Sequence, residues 1–567
     1  MKVTRFFSTL LSLLLFSFIT TDIKAQVFES KNFKNGLVVT ADKYASEIGN
    51  EILMQGGNAV DAAVAVQFAL AVTLPRAGNI GGGGFMVIRL ADGETAALDF
   101  REKAPEKATR DMYVRNGEFK SDLSWEGILA VGVPGTVDGM IKALERYGKL
   151  PLDLVLQPAI KLAREGYKLS YSHAESLNNH KDTFKKYQVS AEYFTKKDDT
   201  EFKEGDLFVQ EDLANTLERI ARFGREGFYA GPVADAIVNE MERYRGLITY
   251  NDLYNYESQW RDPVEVEFKD YTLHIMSPPS SGSIAIAQIL NMINDHPLEE
   301  MGHNSADYVH LVSEAMRRAF ADRSYYLGDP DFVNVPVSEL ISEEYNDTRM
   351  ENFSTDTVTS SASLSHGEIA GFVESDETTH FSVVDSEGNA VAVTTTLNGS
   401  FGSHVSVSGA GFLLNNEMDD FSAQPGEPNA YGLIGAEANA IEPGKRMLSS
   451  MTPTIVTKNN RVDMVLGAAG GPRIITATLQ SFLNRAVFDM RPQQSTAFPR
   501  FHHQWLPDML FIDDFGLSPD TQNLLQEKGH SIFPMPGIGR AHNIYVEPDG
   551  SYSSGVDPRG DGYAAGH

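Results

Sequence analysis

A threonine at the junction of two contrasting segments is the best candidate for a nucleophile in this sequence. Residues 354–377 are rich in Ser, Thr, Asp and Glu and poor in apolar residues, which predicts an exposed, mobile linker. The segments 378–384 and 390–397 that follow are rich in Thr and Val, as β-strands are. Proteolysis at this junction would free the α-amine of Thr378, and an amine with a pKa of about 8 can accept the proton of its own hydroxyl. The alternative is that Thr378 is an ordinary strand residue.

The turn between these two strands determines which side chains lie beside Thr378. The sequence DSEGN at 385–389 has the composition of a turn, so the residues that flank it are predicted to pair. This register places Thr378 opposite Thr396, and a slip of one residue would move every side chain to the other face. Thr378, His380, Thr396 and Asn398 would then share one face of the hairpin. We interpret His380 as structural support, because the α-amine makes a second base unnecessary.

The composition excludes several kinds of chemistry and of partner. The chain has 567 residues and no cysteine, which excludes disulfides, thiol nucleophiles and cysteine-ligated metal sites. Acidic residues outnumber basic ones by 77 to 48, and such a surface repels phosphate backbones, so no nucleic-acid partner is expected. An apolar content of 42% is typical of a globular protein. The length corresponds to about four domains of ~150 residues each.

The first 25 residues have the arrangement of basic residues, apolar run and cleavage site that is typical of a signal peptide. Lys2 and Arg5 precede an apolar run from Phe6 to Ile19, and cleavage is predicted after Ala25. An uncleaved membrane anchor is the alternative, but the run is shorter than the ~20 residues that a helical span needs. We therefore expect a periplasmic or secreted protein without a stable membrane anchor.

Two glycine-containing segments could bring backbone amides close to another group. GNIGGGG at 78–84 lacks the Lys-Ser/Thr pair and the following helix of a phosphate-binding loop, which favours close backbone packing instead. Gly470 and Gly471 precede Pro472 and a segment, 474–488, that has helical periodicity. Their amides are thus predicted at a helix N-terminus, where negative charge is stabilised. A tight turn that packs the helix is the alternative for the same two glycines.

Two further features concern packing. The almost wholly apolar run at 57–74 predicts a buried helix. His502 and His503 resemble a metal-binding pair, but adjacent side chains point in different directions and no acidic residue has a suitable spacing. We therefore interpret both histidines as packing residues and predict no metal site.

Nine motifs occur in an order that is typical of one family. They are GNAVDAAVAV (57–66), GNIGGGGF (78–85), DFREKAP (99–105), VPGTV (133–137), TTHFSVVD (378–385), TTTLN (394–398), LLNNEMDDFS (413–422), RMLSSMTPT (446–454) and GAAGGPRIIT (467–476). Over essentially the whole mature chain the sequence resembles the γ-glutamyltranspeptidases, or glutathione hydrolases, of the N-terminal nucleophile (Ntn) hydrolase superfamily. The resemblance implies an α+β fold, a four-layer αββα sandwich that forms one unit rather than about four domains.

The resemblance also implies a proenzyme that cleaves itself between Glu377 and Thr378. The hydroxyl of Thr378 would attack the preceding carbonyl, and water would open the resulting ester. After removal of the signal peptide, residues 1–25, the products would be a large subunit of residues 26–377 and a small subunit of residues 378–567. Both subunits of this one precursor would belong to the same αββα unit.

The implied substrates are glutathione and other γ-glutamyl compounds, with water, an amino acid or a dipeptide as acceptor. No cofactor and no metal are implied. A guanidinium fork matches a carboxylate, and backbone amides match an oxyanion. The roles carried over are the α-carboxylate clamp (Arg101, Ser449, Ser450), the α-ammonium acceptors (Asn398, Glu417, Asp420), the oxyanion amides (Gly470, Gly471), the residue that orients the nucleophile (Thr396) and a covering loop at 425–435 (Tyr431). Asp419 has a structural role in this pattern.

Two other functions are compatible with the sequence. The first is an acylase of the same fold that acts on glutaryl-cephalosporins or polyglutamate. Glutaryl groups lack the amine that Glu417 and Asp420 would bind, which argues against that acylase. The second is an unprocessed, secreted ligand-binding protein, against which the intact nucleophile, clamp and glycines argue.

Overall fold

Two antiparallel sheets lie face to face at the centre of the fold, and helices cover the outer face of each. The computed structural model describes residues 30–364, 378–427, 429 and 432–567. The predicted signal peptide at residues 1–25, Glu377 and Tyr431 lie outside the described residues. The division into subunits at Glu377 stays a prediction.

Within the described residues, the strands form two large sheets and three small ones. The strands are β1 (Asn32–Phe33), β2 (Leu37–Thr40), β3 (Gly83–Arg89), β4 (Thr95–Asp99), β5 (Val114–Arg115), β6 (Glu118–Phe119), β7 (Tyr167–Lys168), β8 (Leu207–Phe208), β9 (Gln259–Arg261), β10 (Val264–Phe268), β11 (Tyr271–Ile275), β12 (Thr379–Val384), β13 (Ala390–Thr396), β14 (Thr454–Lys458), β15 (Arg461–Leu466), β16 (Ala468–Ala469), β17 (Phe501–His502), β18 (Leu510–Asp513), β19 (Ile532–Met535), β20 (Arg540–Val546), β21 (Tyr552–Val556) and β22 (Tyr563–Gly566). Sheet A has the order β22-β2-β12-β13-β3-β4-β9. Sheet B has the order β1-β21-β20-β15-β14-β11-β10, and β16 pairs with β20.

The helices pack on the outer faces of the two sheets. They are α1 (Lys43–Met54), α2 (Ala59–Thr73), α3 (Ser121–Trp125), α4 (Thr136–Tyr147), α5 (Leu152–Glu165), α6 (Tyr171–Asn179), α7 (Lys181–Phe184), α8 (Gln188–Phe194), α9 (Glu211–Phe223), α10 (Glu226–Tyr229), α11 (Gly231–Tyr244), α12 (Tyr250–Asn255), α13 (Gly282–Ile293), α14 (Leu298–Met301), α15 (Ala306–Tyr326), α16 (Val337–Leu340), α17 (Glu343–Met350), α18 (Arg473–Ala486), α19 (Pro492–Ala497) and α20 (Pro519–Glu527). Helices α1, α2, α4 and α5 share a core with sheet A. Helices α13, α15 and α18 share a core with sheet B.

Alternation along the strands builds these layers. In β2, Leu37 and Val39 lie in the core between the two sheets, whereas Val38 lies in the core under the helices. Successive side chains of a strand point to opposite faces, so one strand feeds two cores. The predicted four-layer αββα sandwich is confirmed.

Helix α2 confirms the buried helix predicted from the apolar run. All of its residues are buried, and a capping box between Asn58 and Asp61 begins it. A helix that is apolar on every side belongs in an interior, and α2 lies between sheet A and other helices. Among the described residues, no helix is both long and apolar enough to cross a membrane.

The central hairpin of sheet A has the predicted register. Val384 pairs with Ala390, and Thr379 pairs with Thr395. Strand β12 also pairs with β2, and β13 also pairs with β3. Strands from before and after residue 378 therefore alternate at the centre of one sheet, so neither part of the chain could complete this sheet alone.

The described part of the predicted linker is only partly exposed. Ser361 and Leu364 are buried, so the prediction of an exposed linker is wrong at these two positions. The backbone amide of Ser361 donates to Asp508 at 2.8 Å, and the indole of Trp505 donates to its carbonyl at 3.0 Å. Hydrogen bonds to distant residues offset the low apolar content of this segment. Residues 365–377 lie outside the described residues.

Candidate active site

The predicted site residues converge on one cleft of about 290 Å³. It lies where β12 begins, where β4, β13 and β16 end, and just before β14. Nine of the eleven predicted catalytic and binding residues line it, together with four apolar residues to which no binding or catalytic role was assigned: Arg101, Thr378, Thr396, Asn398, Glu417, Asp420, Ser449, Ser450 and Gly471, with Leu433, Met451, Pro472 and Ile474. Gly470 directly precedes a lining residue, and Tyr431 lies outside the described residues.

Thr378 and Thr396 stand at the two ends of the hairpin that meet the cleft. Thr378 directly precedes β12, Thr396 is the last residue of β13, and the register continues from the Thr379–Thr395 pair. The hydroxyl of Thr396 accepts a hydrogen bond from the amide of Asn398 at 2.8 Å. The chain turns sharply there, since Asn398 has a φ of 74°. The hydroxyls of Thr378 and Thr396 and the side-chain amide of Asn398 are thereby brought together in the cleft.

The glycine segment 78–84 lets β3 approach this hairpin closely. A Cβ at Gly82 would lie 2.1 Å from the carbonyl oxygen of Thr396, and one at Gly84 would lie 2.4 Å from that of Thr394. The side chain of Asn79 also donates to the Thr396 carbonyl, at 2.8 Å. Close backbone packing is confirmed as the reason for these glycines.

Arg101 is fully buried two residues after β4 and contacts two acids of the cleft. Its Nη1 donates to Glu417 and its Nη2 donates to Asp420. The carbonyls of Met447 and Leu448 accept from the same guanidinium at 3.3 and 3.2 Å. The family resemblance implies that Arg101 binds the carboxylate of a ligand and that the two acids bind its ammonium, whereas in the structure Arg101 and the two acids neutralise one another. Burial explains this arrangement, because an unpaired buried charge is costly.

Three acids lie on one short 3₁₀ turn, Glu417–Asp420. Glu417 and Asp420 line the cleft, whereas Asp419 does not. Asp419 accepts a hydrogen bond from the hydroxyl of Ser124 at 2.6 Å. Its carboxylate therefore has a structural partner outside the lining of the cleft, in agreement with the structural role expected for it.

Burial shifts the proton affinity of the carboxyls around Arg101. It raises the pKa of both Glu417 and Asp420, and the positive charge of Arg101 opposes the shift. Burial also raises the pKa of Glu102 to about 7. Glu102 lies 3.8 Å from the Arg101 guanidinium, so three carboxyls surround one cation. Sequence reasoning missed Glu102, although it follows Arg101 directly in the DFREKAP motif.

The loop that carries Ser449 and Ser450 is held by a second loop that the sequence analysis missed. The amide of Ser449 donates to the carbonyl of Pro279 at 2.9 Å. The carbonyl of Ser449 accepts from the amide and from the hydroxyl of Ser281, at 2.8 and 2.7 Å. The hydroxyl of Ser450 accepts from Arg323 at 3.2 Å. Ser-Pro-Pro-Ser-Ser-Gly at 277–282 has the composition of a loop, which was the available signal.

Gly470 and Gly471 form the entry to helix α18. Their φ angles are 129° and 52°, a region that side chains disfavour. A Cβ at Gly470 would also lie 3.0 Å from Gly539 Cα. Helix α18 begins at Arg473, one residue before the predicted start and two after Gly471. The amides at a helix N-terminus have no partner within the helix and attract negative charge.

Comparisons with known proteins agree with this geometry. The sequence profile of the Gamma-glutamyltranspeptidase family matches residues 45–567. The chain belongs to the γ-glutamyltranspeptidase family. The glutathione hydrolase proenzyme of Escherichia coli (strain K12) is 46% identical over 539 residues, which cover 95% of this chain and 92% of that relative. The family expected from the motifs is confirmed.

Two solved structures resemble this member of the γ-glutamyltranspeptidase family. A cephalosporin acylase from Bacillus halodurans superimposes with a TM-score of 0.85 at 27% identity, over 95% of this chain and 97% of that chain. A Helicobacter pylori γ-glutamyltranspeptidase chain is 50% identical with a TM-score of 0.57, over 58% of this chain and 95% of that chain. Both likenesses support the Ntn-hydrolase fold.

The predicted covering loop at 425–435 touches the acidic side of the cleft. The side chain of Asn429 donates to Asp420 at 3.4 Å, and the amide of Leu433 donates to the carbonyl of Asn429 at 3.1 Å. Leu433 itself lines the cleft. The described residues Asn429 and Leu433 of this loop thus lie beside the cleft.

Three histidines considered in the sequence analysis, His380, His502 and His503, are buried and make polar contacts. His380 contacts the hydroxyls of Thr394 and Ser382 at 2.9 and 3.1 Å, and burial lowers its pKa well below the usual value. Burial also lowers the pKa of His502 to about 3 and that of His503 to about 4. No acidic residue was expected at a suitable spacing from the pair, yet Asp508, five positions after His503, lies 3.3 Å from it. Asp508 is itself exposed and also binds the buried Arg317, so this contact belongs to an ion network that extends from the interior to the surface.

Proposed function

We propose that the chain is a glutathione hydrolase and γ-glutamyltransferase in which Thr378 is the nucleophile. Membership of the γ-glutamyltranspeptidase family supports the enzyme class and the γ-glutamyl donor. The observation that carries the residue assignment is the cleft in which Thr378, Arg101, Glu417 and Asp420 meet. It combines a nucleophile with both signs of charge, as a zwitterionic donor requires.

The first step in this proposal is cleavage of the precursor. The Thr378 hydroxyl adds to the carbonyl carbon of Glu377, the C–N bond between them breaks, and an ester forms while the α-amine is released. Water then opens the ester. The products are the chains 26–377 and 378–567, held together by the shared sheet A. The freed amine of Thr378 becomes the base for its own hydroxyl.

In this proposal, donor binding replaces the two internal ion pairs of Arg101, with Glu417 and Asp420, by ion pairs with the donor. The α-carboxylate of a γ-glutamyl group binds Arg101 and the hydroxyls of Ser449 and Ser450. Its α-ammonium binds Glu417 and Asp420, with the Asn398 side chain as a further acceptor. A donor that lacks either charge leaves a buried group of the protein without a partner, which costs about 1–3 kcal/mol or more.

The transfer itself has two halves. The Thr378 hydroxyl attacks the γ-carbonyl while its amine takes the proton, and the amides of Gly470 and Gly471 stabilise the oxyanion. Thr396 orients the nucleophile. The amine product, cysteinylglycine in the case of glutathione, leaves with the proton. Water, an amino acid or a dipeptide then accepts the γ-glutamyl group. We infer from the order of residues 1–25 that this takes place in the periplasm or outside the cell.

The choice between donor classes tests the proposal. We expect kcat/KM for γ-glutamyl-p-nitroanilide to exceed that for glutaryl-p-nitroanilide by about 10²-fold or more, because glutaryl leaves Glu417 and Asp420 unpaired. Steady-state release of p-nitroaniline measures both. The likeness to a cephalosporin acylase supports the one competing function, and a preference for the glutaryl substrate would establish that function instead.

The pH dependence of donor binding is expected to involve Glu417. Because burial raises the pKa of its carboxyl, Glu417 takes up a proton as the pH falls while an exposed glutamate is still ionised. The protonated form cannot balance an ammonium, so KM for γ-glutamyl donors should rise on acidification. Glu417→Gln should raise KM about 5-fold near pH 8, the effect of about 1 kcal/mol, and flatten this rise.

A matched control is available on the same 3₁₀ turn. Asp419→Asn alters a carboxylate that contacts Ser124 and should keep the KM profile of the wild type. A Glu417→Gln profile as steep as that of the wild type would show that another group binds the ammonium.

A further inference from the structure

A buried arginine outside the predicted site contacts the carboxylate clamp. Arg323 lies near the end of α15 and is 5% exposed. Its Nη2 donates to the hydroxyl of Ser450 at 3.2 Å, and its Nε donates to the hydroxyl of Ser281 at 2.9 Å. Both contacts are made by one rigid, planar group, so the two serine hydroxyls have a fixed relative position.

Ser281 extends this contact to the other serine of the clamp. Its hydroxyl accepts from Arg323 and donates to the carbonyl of Ser449 at 2.7 Å, and its amide donates to the same carbonyl at 2.8 Å. Arg323 therefore holds Ser450 directly and Ser449 through one intermediate residue. These links join α15, the loop before α13 and the loop before β14.

The contact also determines what the Ser450 hydroxyl can do. A serine hydroxyl has one hydrogen to donate and two lone pairs that accept. Since Arg323 has only hydrogens to donate, it occupies a lone pair and leaves the hydroxyl hydrogen for an acceptor in the cleft. Burial lowers the pKa of Arg323 to about 10, so it is still a cation at neutral pH. The charge of Arg323 also favours the ionised form of Asp420.

We propose that Arg323 is a positioning residue that directs the Ser450 hydroxyl toward the α-carboxylate of the donor and so makes the enzyme select donors that have one. The inference rests on the proposed function, because it assumes that Ser450 binds this carboxylate. The role is separate from that of Arg101, which contacts the acids of the cleft directly. Toward the α-carboxylate, Arg323 acts through the neutral hydroxyl of Ser450.

A pair of substrates that differ only in the α-carboxylate tests this role. For Arg323→Gln, kcat/KM for γ-glutamyl-p-nitroanilide should fall about 10- to 100-fold, mainly through a higher KM. For 4-aminobutyryl-p-nitroanilide, which keeps the amine but lacks the carboxylate, kcat/KM should change less than about 3-fold. Arg323→Lys keeps the charge without the fork and should fall between the wild type and Arg323→Gln on the γ-glutamyl substrate.

The controls separate positioning from a general structural effect. Arg317→Gln removes another buried arginine of α15, one that pairs with Glu314 and Asp508, and should leave the ratio of the two substrates unchanged. An equal fall on both substrates in Arg323→Gln, or no fall on either, would overturn the proposal. If Arg323→Gln does not fold, Arg323→Lys decides the question by the same ratio. A wild type without γ-glutamyl activity would instead contradict the proposed function.

Discussion

Thr378→Ala is expected to give a single uncut chain without γ-glutamyl transfer activity. The variant lacks the hydroxyl that would attack the carbonyl of Glu377, so neither the ester nor the new amino terminus forms. Removal of a nucleophile typically lowers kcat by about 10⁴-fold or more. Intact mass with amino-terminal sequencing distinguishes the two forms, since the cleaved wild type contains a chain that begins Thr-Thr-His-Phe.

The adjacent threonine provides a matched control. Thr379 pairs with Thr395 inside sheet A, and alternation directs its side chain to the face opposite that of Thr378. Thr379→Ala should therefore be cleaved and react like the wild type. Thr378→Ser keeps a hydroxyl, so it should still be cleaved, but more slowly than the wild type. A wild-type chain that stays intact for days in neutral buffer would contradict this mechanism, as would a cleaved Thr378→Ala.

Local patterns were sufficient to predict the hairpin that presents Thr378. A five-residue turn and the alternation of strand side chains predicted the register, and the observed pairing of Val384 with Ala390 agrees. The apolar run likewise predicted helix α2. Only the family resemblance predicted that strands from both halves of the chain would join one sheet. No local sequence pattern indicates which strands become neighbours. Length alone predicted about four domains. This prediction is wrong, because residues 31–567 form one compact unit.

The sequence motifs did not predict the hydrogen bonds and ion pairs that hold the site residues in place. Ser281 and Ser449 are 168 positions apart, and Arg323 and Ser450 are 127 positions apart. Such pairs produce no periodicity, so neither Arg323 nor Ser281 was singled out. The ion pairs of Arg101 were missed for a different reason. Residue types indicate which charge of a ligand each side chain could bind, but not that the side chains bind one another.

Arg101→Lys should separate donor binding from cleavage of the precursor. A lysine ammonium cannot contact two carboxylates and two backbone carbonyls as the guanidinium fork does. We expect kcat/KM for γ-glutamyl-p-nitroanilide to fall about 10²- to 10³-fold, mainly through KM, as for the loss of a buried charge partner worth about 3–4 kcal/mol. Cleavage should persist, because the chain itself presents the scissile bond to Thr378. Gel analysis and steady-state kinetics of the same preparation measure both.

A second substitution shows whether the loss arises from binding or from folding. Arg101→Lys also leaves Glu417 and Asp420 incompletely paired, so the thermal midpoint should fall. Adding Glu417→Gln removes one of these acids and should recover part of the thermal stability, yet it cannot supply the lost partner of the α-carboxylate. KM should therefore stay high in the double variant. Recovery of KM together with stability would show that Arg101 acts only by neutralising the acids, and an uncut Arg101→Lys would show that it is needed for folding or processing.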